Sequence, residues 1–252
     1  MRAASISCYL RMIQIRHVEK RYGDLVAVDD VCLELGDEIF ALLGRNGAGK
    51  STLMKMLVGI FPPDKGHIAL YGHDVCRNSL AAKREVGYLP ENLSLYPRLT
   101  IHEFLLFLAG VRKMESSRPG SSKAEIRELL QYFGLWDRKH MLIRECSLGM
   151  LKRVGLMGAL LGPQRLVVLD EPLNGLDVEN IRLLRQRLRR LREQGKTILM
   201  ASHILSFVEE LSDRVGIIHQ GRMKAVGTVH EVKALAGDAK LTLEECFFRL
   251  TA

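Results

Sequence analysis

The stretch Gly44-Arg45-Asn46-Gly47-Ala48-Gly49-Lys50-Ser51 limits the possible folds more than any other part of the chain. It has the form G-x-x-x-x-G-K-[ST]. Its glycines let the backbone curl until several N–H groups converge on phosphate oxygens. An apolar run, Ile39 to Leu43, precedes it and reads as a buried strand. A helix is predicted from Lys50 to about Ile60, stopped by Pro62, Pro63 and Gly66. The positive end of that helix favours an anion at the loop. Lys50 supplies a cation for the β- and γ-phosphates of a nucleotide, and the Ser51 hydroxyl is placed to ligate Mg²⁺.

The rest of the chain alternates in the same way. Strands are expected at Ile13–Ile15, Val26–Leu35, His67–Leu70, Val86–Leu89, Leu166–Leu169, Thr197–Ala201 and Val215–His219. Helices are expected over Asn180–Gln194 and Ile204–Leu211, and across Ile101 to about Leu161. The Ser-, Pro- and Gly-bearing insert Ser116–Ser122 interrupts this last region as an exposed loop. Strands alternating with helices around a phosphate loop indicate an α/β fold with a largely parallel sheet covered by helices.

Composition narrows the class. With 47% hydrophobic and 26% charged residues, a disordered or collagen-like chain is excluded. The longest apolar run, Val154 to Pro163, falls short of the roughly 20 residues that cross a bilayer. It reads as a core helix, so any membrane span has to come from another chain. Met1 to Leu10 has one Arg and a short mixed apolar run, a poor signal peptide, and residues 1–11 read as a loose tail. The widely spaced Cys8, Cys32, Cys76, Cys146 and Cys246 offer neither a disulfide framework nor a structural zinc pattern, and fit a reducing cytoplasm. The net charge of +8 permits contact with phosphates, anionic lipid or nucleic acid without selecting one. Its densest run, Arg182 to Arg192, interleaves arginines with Leu183, Leu184, Leu188 and Leu191 and predicts an amphipathic helix with a solvated basic face.

A second acidic motif lies downstream. The strand Arg165 to Pro172 ends in Asp170 and Glu171. Asp170 is suited to hold Mg²⁺, and Glu171 to polarise an attacking water as general base.

Further motifs follow in a fixed order: Tyr22 before the phosphate loop; Tyr88-Leu89-Pro90-Glu91; Glu145-Cys146-Ser147-Leu148-Gly149-Met150 leading into a helical run; Leu173-Asn174-Gly175-Leu176-Asp177 after the acidic strand; and Ser202-His203 after the next strand. In this order they resemble the ATP-binding subunits of ABC transporters, over Ile13 to Val226. The resemblance implies a P-loop NTPase fold with a RecA-like parallel sheet core, an N-terminal antiparallel β subdomain and an inserted α-helical subdomain at about residues 92–161. The ATPase domain spans 12–226 and a C-terminal extension 227–252. It further implies that Tyr22 stacks on adenine and that Gly44 to Thr52 hold the phosphates, with Ser51, Asp170 and Glu91 around Mg²⁺. His203 contacts the γ-phosphate and holds the attacking water. Ser147 and Gly149 reach the γ-phosphate of ATP bound to the other subunit of a dimer, and Asp177 links the two sites.

Two positions depart from the family's usual pattern. Glu91 stands where glutamine is usual, so metal dependence and coupling are open to change while a carboxylate still ligates Mg²⁺. The signature reads Cys-Ser-Leu-Gly-Met, with Leu148 in place of its first glycine, while Ser147 and Gly149 are kept. Both departures and the ending Thr242 to Phe248 resemble stand-alone subunits of the exporter-like type-two class. The expected partners are a separate membrane-spanning permease, docked near Leu93, Leu95 and Tyr96, and a second ATPase subunit, identical or sister. The expected place is the inner face of the cell membrane. The alternative is a soluble ABC ATPase acting on nucleic acid or ribosomes, supported by the basic charge and disfavoured by the single cassette.

Overall fold

A computed structural model describes residues 12–114, 120–237 and 241–251. The expected tail of residues 1–11, including Cys8, lies outside the described residues, as do residues 115–119 of the insert.

Strands β1 (Ile13–Tyr22), β2 (Leu25–Leu35), β4 (Lys65–Leu70) and β5 (His73–Asp74) form an antiparallel sheet in the order β2-β1-β4-β5. Strands β3 (Ile39–Leu43), β6 (Val86–Leu89), β7 (Leu166–Asp170), β8 (Thr197–Ala201), β9 (Arg214–His219) and β10 (Arg222–Gly227) form the second sheet in the order β10-β9-β3-β8-β7-β6. It is parallel except for the β9–β10 edge pair.

The central strands are buried on both faces, which explains their unbroken apolar runs. Ile39, Ala41 and Leu43 of β3 pack into one core with Val167 and Leu169 of β7 and Ile198 and Met200 of β8. Phe40, Leu42, Leu166, Val168 and Leu199 face a second core shared with the antiparallel sheet and with helix α1 (Lys50–Leu57). The parallel sheet is thus the partition between two hydrophobic layers, and the phosphate loop opens at the end of its middle strand.

After α2 (Ser79–Arg84) and β6 come the helices α3 (Ile101–Val111), α4 (Ser121–Tyr132) and α5 (Leu148–Leu160), all contributing to the first core. Thr100 caps α3 through a reciprocal capping box with Glu103. Helix α4 begins at Ser121, and Ser122 is buried. The expected loop therefore ends earlier than the composition of Ser116–Ser122 suggested, because Gly120 in a left-handed conformation starts the helix there.

Helix α6 (Val178–Glu193) buries Leu184, Leu188 and Leu191 as expected. Its basic face is not simply solvated. Arg187 bonds Glu128 of α4 at 2.7 Å, Arg185 bonds Glu210 at 2.7 Å and Arg192 bonds Asp213 at 2.9 Å, and the Arg187 side chain is only 14% exposed. Carboxylates on neighbouring elements, invisible to local periodicity, take up the charge. Helices α7 (Leu205–Leu211), α8 (Val229–Leu235) and α9 (Leu243–Thr251) close the chain. Leu243 and Phe247 of α9 join the first core, so residues 243–251 pack onto the ATPase core instead of leaving it. No helix among the described residues is long and apolar enough to cross a membrane.

Candidate active site

The phosphate loop joins β3 to α1 through a backbone that only glycine permits at two points. Gly49 caps α1 at φ 105°, and a Cβ there would lie 2.3 Å from the Ala27 carbonyl oxygen. A Cβ on Gly44 would lie 2.7 Å from the Ile218 carbonyl oxygen. The loop is thereby pressed against β2 on one side and β9 on the other. Lys50 is buried, and its Nζ donates to the carbonyls of Gly44 at 2.6 Å and Arg45 at 3.2 Å. Burial lowers its pKa, opposed by the charges of Glu171, Asp170 and Glu91. An ammonium folded onto its own loop and faced by three carboxylates is a cation ready to be drawn to a phosphate.

One cleft brings together Tyr22, Asn46, Gly47, Gly49, Lys50, Ser51, Thr52, Glu91, Asp170 and Glu171. Leu25 and Ala27 of β2 also line it, and sequence reasoning missed them. Their only local signal is their place just after Tyr22 in the hairpin. The Tyr22 ring stands edge-on to Phe61 at 6.3 Å and is about half exposed, which leaves a face open for a flat ring to stack upon.

Asp170 closes β7 and is buried, with no hydrogen bond of good geometry to either oxygen. Burial pushes its carboxyl up from its ordinary value, and the Ser51 hydroxyl beside it acts the other way. A buried carboxylate left in this way is costly unless a cation completes it, so the donor set of Ser51, Asp170 and Glu91 fits a hard divalent ion.

Glu171 follows at φ 48°, a conformation that costs a non-glycine residue about 1–3 kcal/mol and is tolerated where function requires it. Its backbone N–H donates to the Ala201 carbonyl at 3.0 Å, tying it to the end of β8. Across that junction His203 Nδ1 lies 2.8 Å from Glu171 Oε2. The Ser202 Oγ accepts the Ile204 N–H and holds the turn that presents the imidazole. This engages one carboxylate oxygen, Oε2, of Glu171.

Ser147, Gly149 and Asp177 do not line this cleft. Ser147 caps α5 by accepting the Met150 N–H at 3.3 Å, and Asp177 caps α6 by accepting the Asn180 N–H at 2.8 Å. The first turn of α5 meets the loop that leads into α6: a Cβ on Gly149 would lie 2.9 Å from the Gly175 carbonyl oxygen. Beside them stand two highly exposed apolar side chains, Leu148 at 81% and Val178 at 85%.

Sequence reasoning also missed Lys152. It lies on α5, is buried, and feels the charges of Asp170, Glu171 and Glu91 against the burial that lowers its pKa. A lone lysine within the apolar helical run was its only trace.

A family model described as ABC transporter matches residues 29–174. The linearmycin resistance ATP-binding protein LnrL of Bacillus subtilis (strain 168) is 37% identical over 92% of this chain and 74% of its own length. The chain belongs to the ABC transporter family. The bacitracin transport ATP-binding protein BcrA of Bacillus licheniformis is 38% identical over 84% of this chain and 68% of its own. Among solved structures, an ATP binding subunit of an ABC transporter superposes with a TM-score of 0.88 at 31% identity, covering 96% of this chain and all of that one. A dimeric ATP-binding cassette in a post-hydrolysis state with ADP and Pi shares the fold, with a TM-score of 0.78 at 20% identity over 86% of this chain and 98% of that one. The ABC ATPase fold expected from the motif order is the fold found, and the chain is an ATP-binding and ATP-hydrolysing subunit of that family.

Proposed function

We propose that this subunit is the motor of an exporter whose membrane-spanning part is a separate chain, and that it works as a dimer closing on two ATP molecules. The observation that carries the reading is the Glu171–His203 contact of 2.8 Å beside the phosphate loop, which couples a fixed general base to a nucleotide cleft. The names of LnrL and BcrA, a resistance and a transport ATP-binding protein, support the transport role.

Lys50 leaves the Gly44 and Arg45 carbonyls for the β- and γ-phosphates, while Tyr22 stacks on the adenine. Ser51, Asp170 and Glu91 hold Mg²⁺, which neutralises charge on the phosphates when bound. Glu171 accepts a proton from the attacking water, oriented by His203, whose remaining nitrogen faces the γ-phosphate. Ser147, Gly149 and Asp177 serve the site of the other subunit, which accounts for their place outside the chain's own cleft. Hydrolysis then removes the contact that bridges the two subunits. The permease docks on the exposed apolar surface of Tyr96 and Phe107, downstream of Glu91. Leu93 and Leu95, expected on that surface, are half-buried against the core. This docking keeps the ATPase on the inner face of the membrane.

The arginines that favoured a nucleic-acid partner are largely held in ion pairs, so the basic helix no longer argues for that reading. The deciding experiment is a pull-down of the tagged Glu171→Gln subunit from detergent-solubilised membranes with ATP and Mg²⁺. A stoichiometric multi-span protein in the eluate is the expected result. Recovery of ribosomes or DNA in its place would reject the transporter reading.

A further inference from the structure

The antiparallel sheet carries an irregularity unrelated to nucleotide chemistry. Between the pairs Ile15↔Leu33 and Val18↔Val31, strand β1 has one residue more than β2. Between Val18↔Val31 and Lys20↔Val28 the extra residue is on β2. The two bulges cancel, so Lys20↔Val28 returns to the register of Ile15↔Leu33, ahead of a further shift at Arg21↔Val26. Each contains a non-glycine residue in the left-handed region, His17 at φ 49° and Asp30 at φ 51°.

Their combined effect is local. His17 Nδ1 lies 2.8 Å from Asp30 Oδ1, and the His17 backbone N–H donates to Cys32 Sγ at 3.2 Å. One donor atom from each of His17, Asp30 and Cys32 lies within 4.8 Å of the others, all three side chains being exposed.

Both bulges are braced from behind by other elements. Gly66 of β4 packs so closely on the first that an added Cβ would lie 2.2 Å from the His17 carbonyl oxygen. The second is held by the Asp29 N–H donating to the Gly221 carbonyl at 2.9 Å and by an Arg222–Asp29 ion pair at 2.7 Å. The trio therefore sits on a backbone fixed on two sides, and only side-chain rotation is needed to converge the donors. A tetrahedral zinc ion with bonds of about 2.1 Å holds nitrogen and oxygen donors roughly 3.4 Å apart.

We propose that His17, Asp30 and Cys32 form a binding site for a divalent transition ion of the zinc class. Imidazole, carboxylate and thiolate are donors of the borderline softness that Zn²⁺ takes and Mg²⁺ does not. Three protein ligands leave the fourth position to water. The ion ties β1 to β2 at their bulges, on the hairpin that carries Tyr22, and stabilises the folded state over the unfolded chain.

The test uses the full chain, stripped with chelator and held in excess Mg²⁺ so that hard-ligand sites are filled. Titration with Co²⁺ is expected to give one equivalent with the absorption of a tetrahedral thiolate complex, and Zn²⁺ is expected to displace it and raise Tm. Cys32→Ser abolishes the thiolate band. His17→Gln and Asp30→Asn weaken binding by more than about tenfold. Cys76→Ser, at another exposed cysteine, leaves the band intact. No Co²⁺ band in the wild-type chain, a band that survives Cys32→Ser, or one lost in Cys76→Ser would each overturn the assignment. Because the three side chains are exposed, metal-free Tm values of the variants close to wild type exclude misfolding as the cause.

Discussion

At the residue scale the site depends on a few atoms held in conformations that most sequences avoid. Glu171 is fixed by its left-handed backbone, its amide bond to Ala201 and the His203 contact. Glu171→Gln keeps the shape and removes the proposed base, so kcat is expected to fall by about 10²–10⁴-fold with ATP affinity retained. His203→Ala is expected to lower kcat as well, by removing the group that orients Glu171. Single-turnover hydrolysis and nucleotide binding, measured on the same samples, separate the two effects. Gly49→Ala tests the loop itself. Its methyl group would meet the Ala27 carbonyl at 2.3 Å in a backbone of φ 105°, so nucleotide binding and Tm are expected to fall together.

At the scale of elements, caps and ion pairs decide where helices begin and how they lie. Thr100 accepts the Glu103 N–H at 3.2 Å while the Glu103 carboxylate accepts the Thr100 N–H at 2.8 Å. Thr228 and Glu231 repeat the arrangement at the start of α8. Thr100→Ala is expected to destabilise the chain by about 1 kcal/mol in chemical denaturation. The hydrogen bonds from the threonines hold the Glu103 and Glu231 carboxyls below the ordinary value of 4.5. A depressed carboxylate stabilises the fold above its unfolded pKa and loses that effect as pH falls through the folded one. Stability is therefore expected to decline as pH drops through and below about 4.5, and less steeply in a Glu103→Gln, Glu231→Gln double variant. Denaturation midpoints across that range measure the difference.

For the whole molecule, the telling feature is what the cleft lacks. Ser147 and Asp177 cap helices at the surface, beside the exposed Leu148 and Val178, and with Gly149 they lie outside the chain's own nucleotide cleft. A charge placed there costs the monomer little, since surface substitutions are usually within about 0.5 kcal/mol. In the Glu171→Gln background, Leu148→Asp is expected to leave Tm unchanged and to abolish the ATP-dependent dimer in light scattering. Tyr96→Glu is expected to leave the ATPase of the isolated subunit intact and to break its coupling to transport, read as ATPase and transport rates in reconstituted membranes.

What the sequence determines by itself is whatever a local pattern can encode. The apolar runs of β3, β7 and β8 specify strands buried on both faces, and the glycines and Lys50 specify a phosphate-binding turn between strand and helix. The order of short motifs identifies the family. Each of these depends on neighbours within a few residues, where spacing translates directly into geometry. Tertiary structure alone decided the rest. His203 meets Glu171 because two parallel strands end side by side, and Arg187 is neutralised by Glu128, 59 positions away, because α6 packs near α4. Lys152 is buried against the carboxylates, α9 is drawn onto the core, and two cancelling bulges gather His17, Asp30 and Cys32. These contacts arise from which elements the sheet order makes adjacent. A pattern that repeats every two or 3.6 residues gives the face a side chain occupies, and only the folded chain supplies the group it meets there.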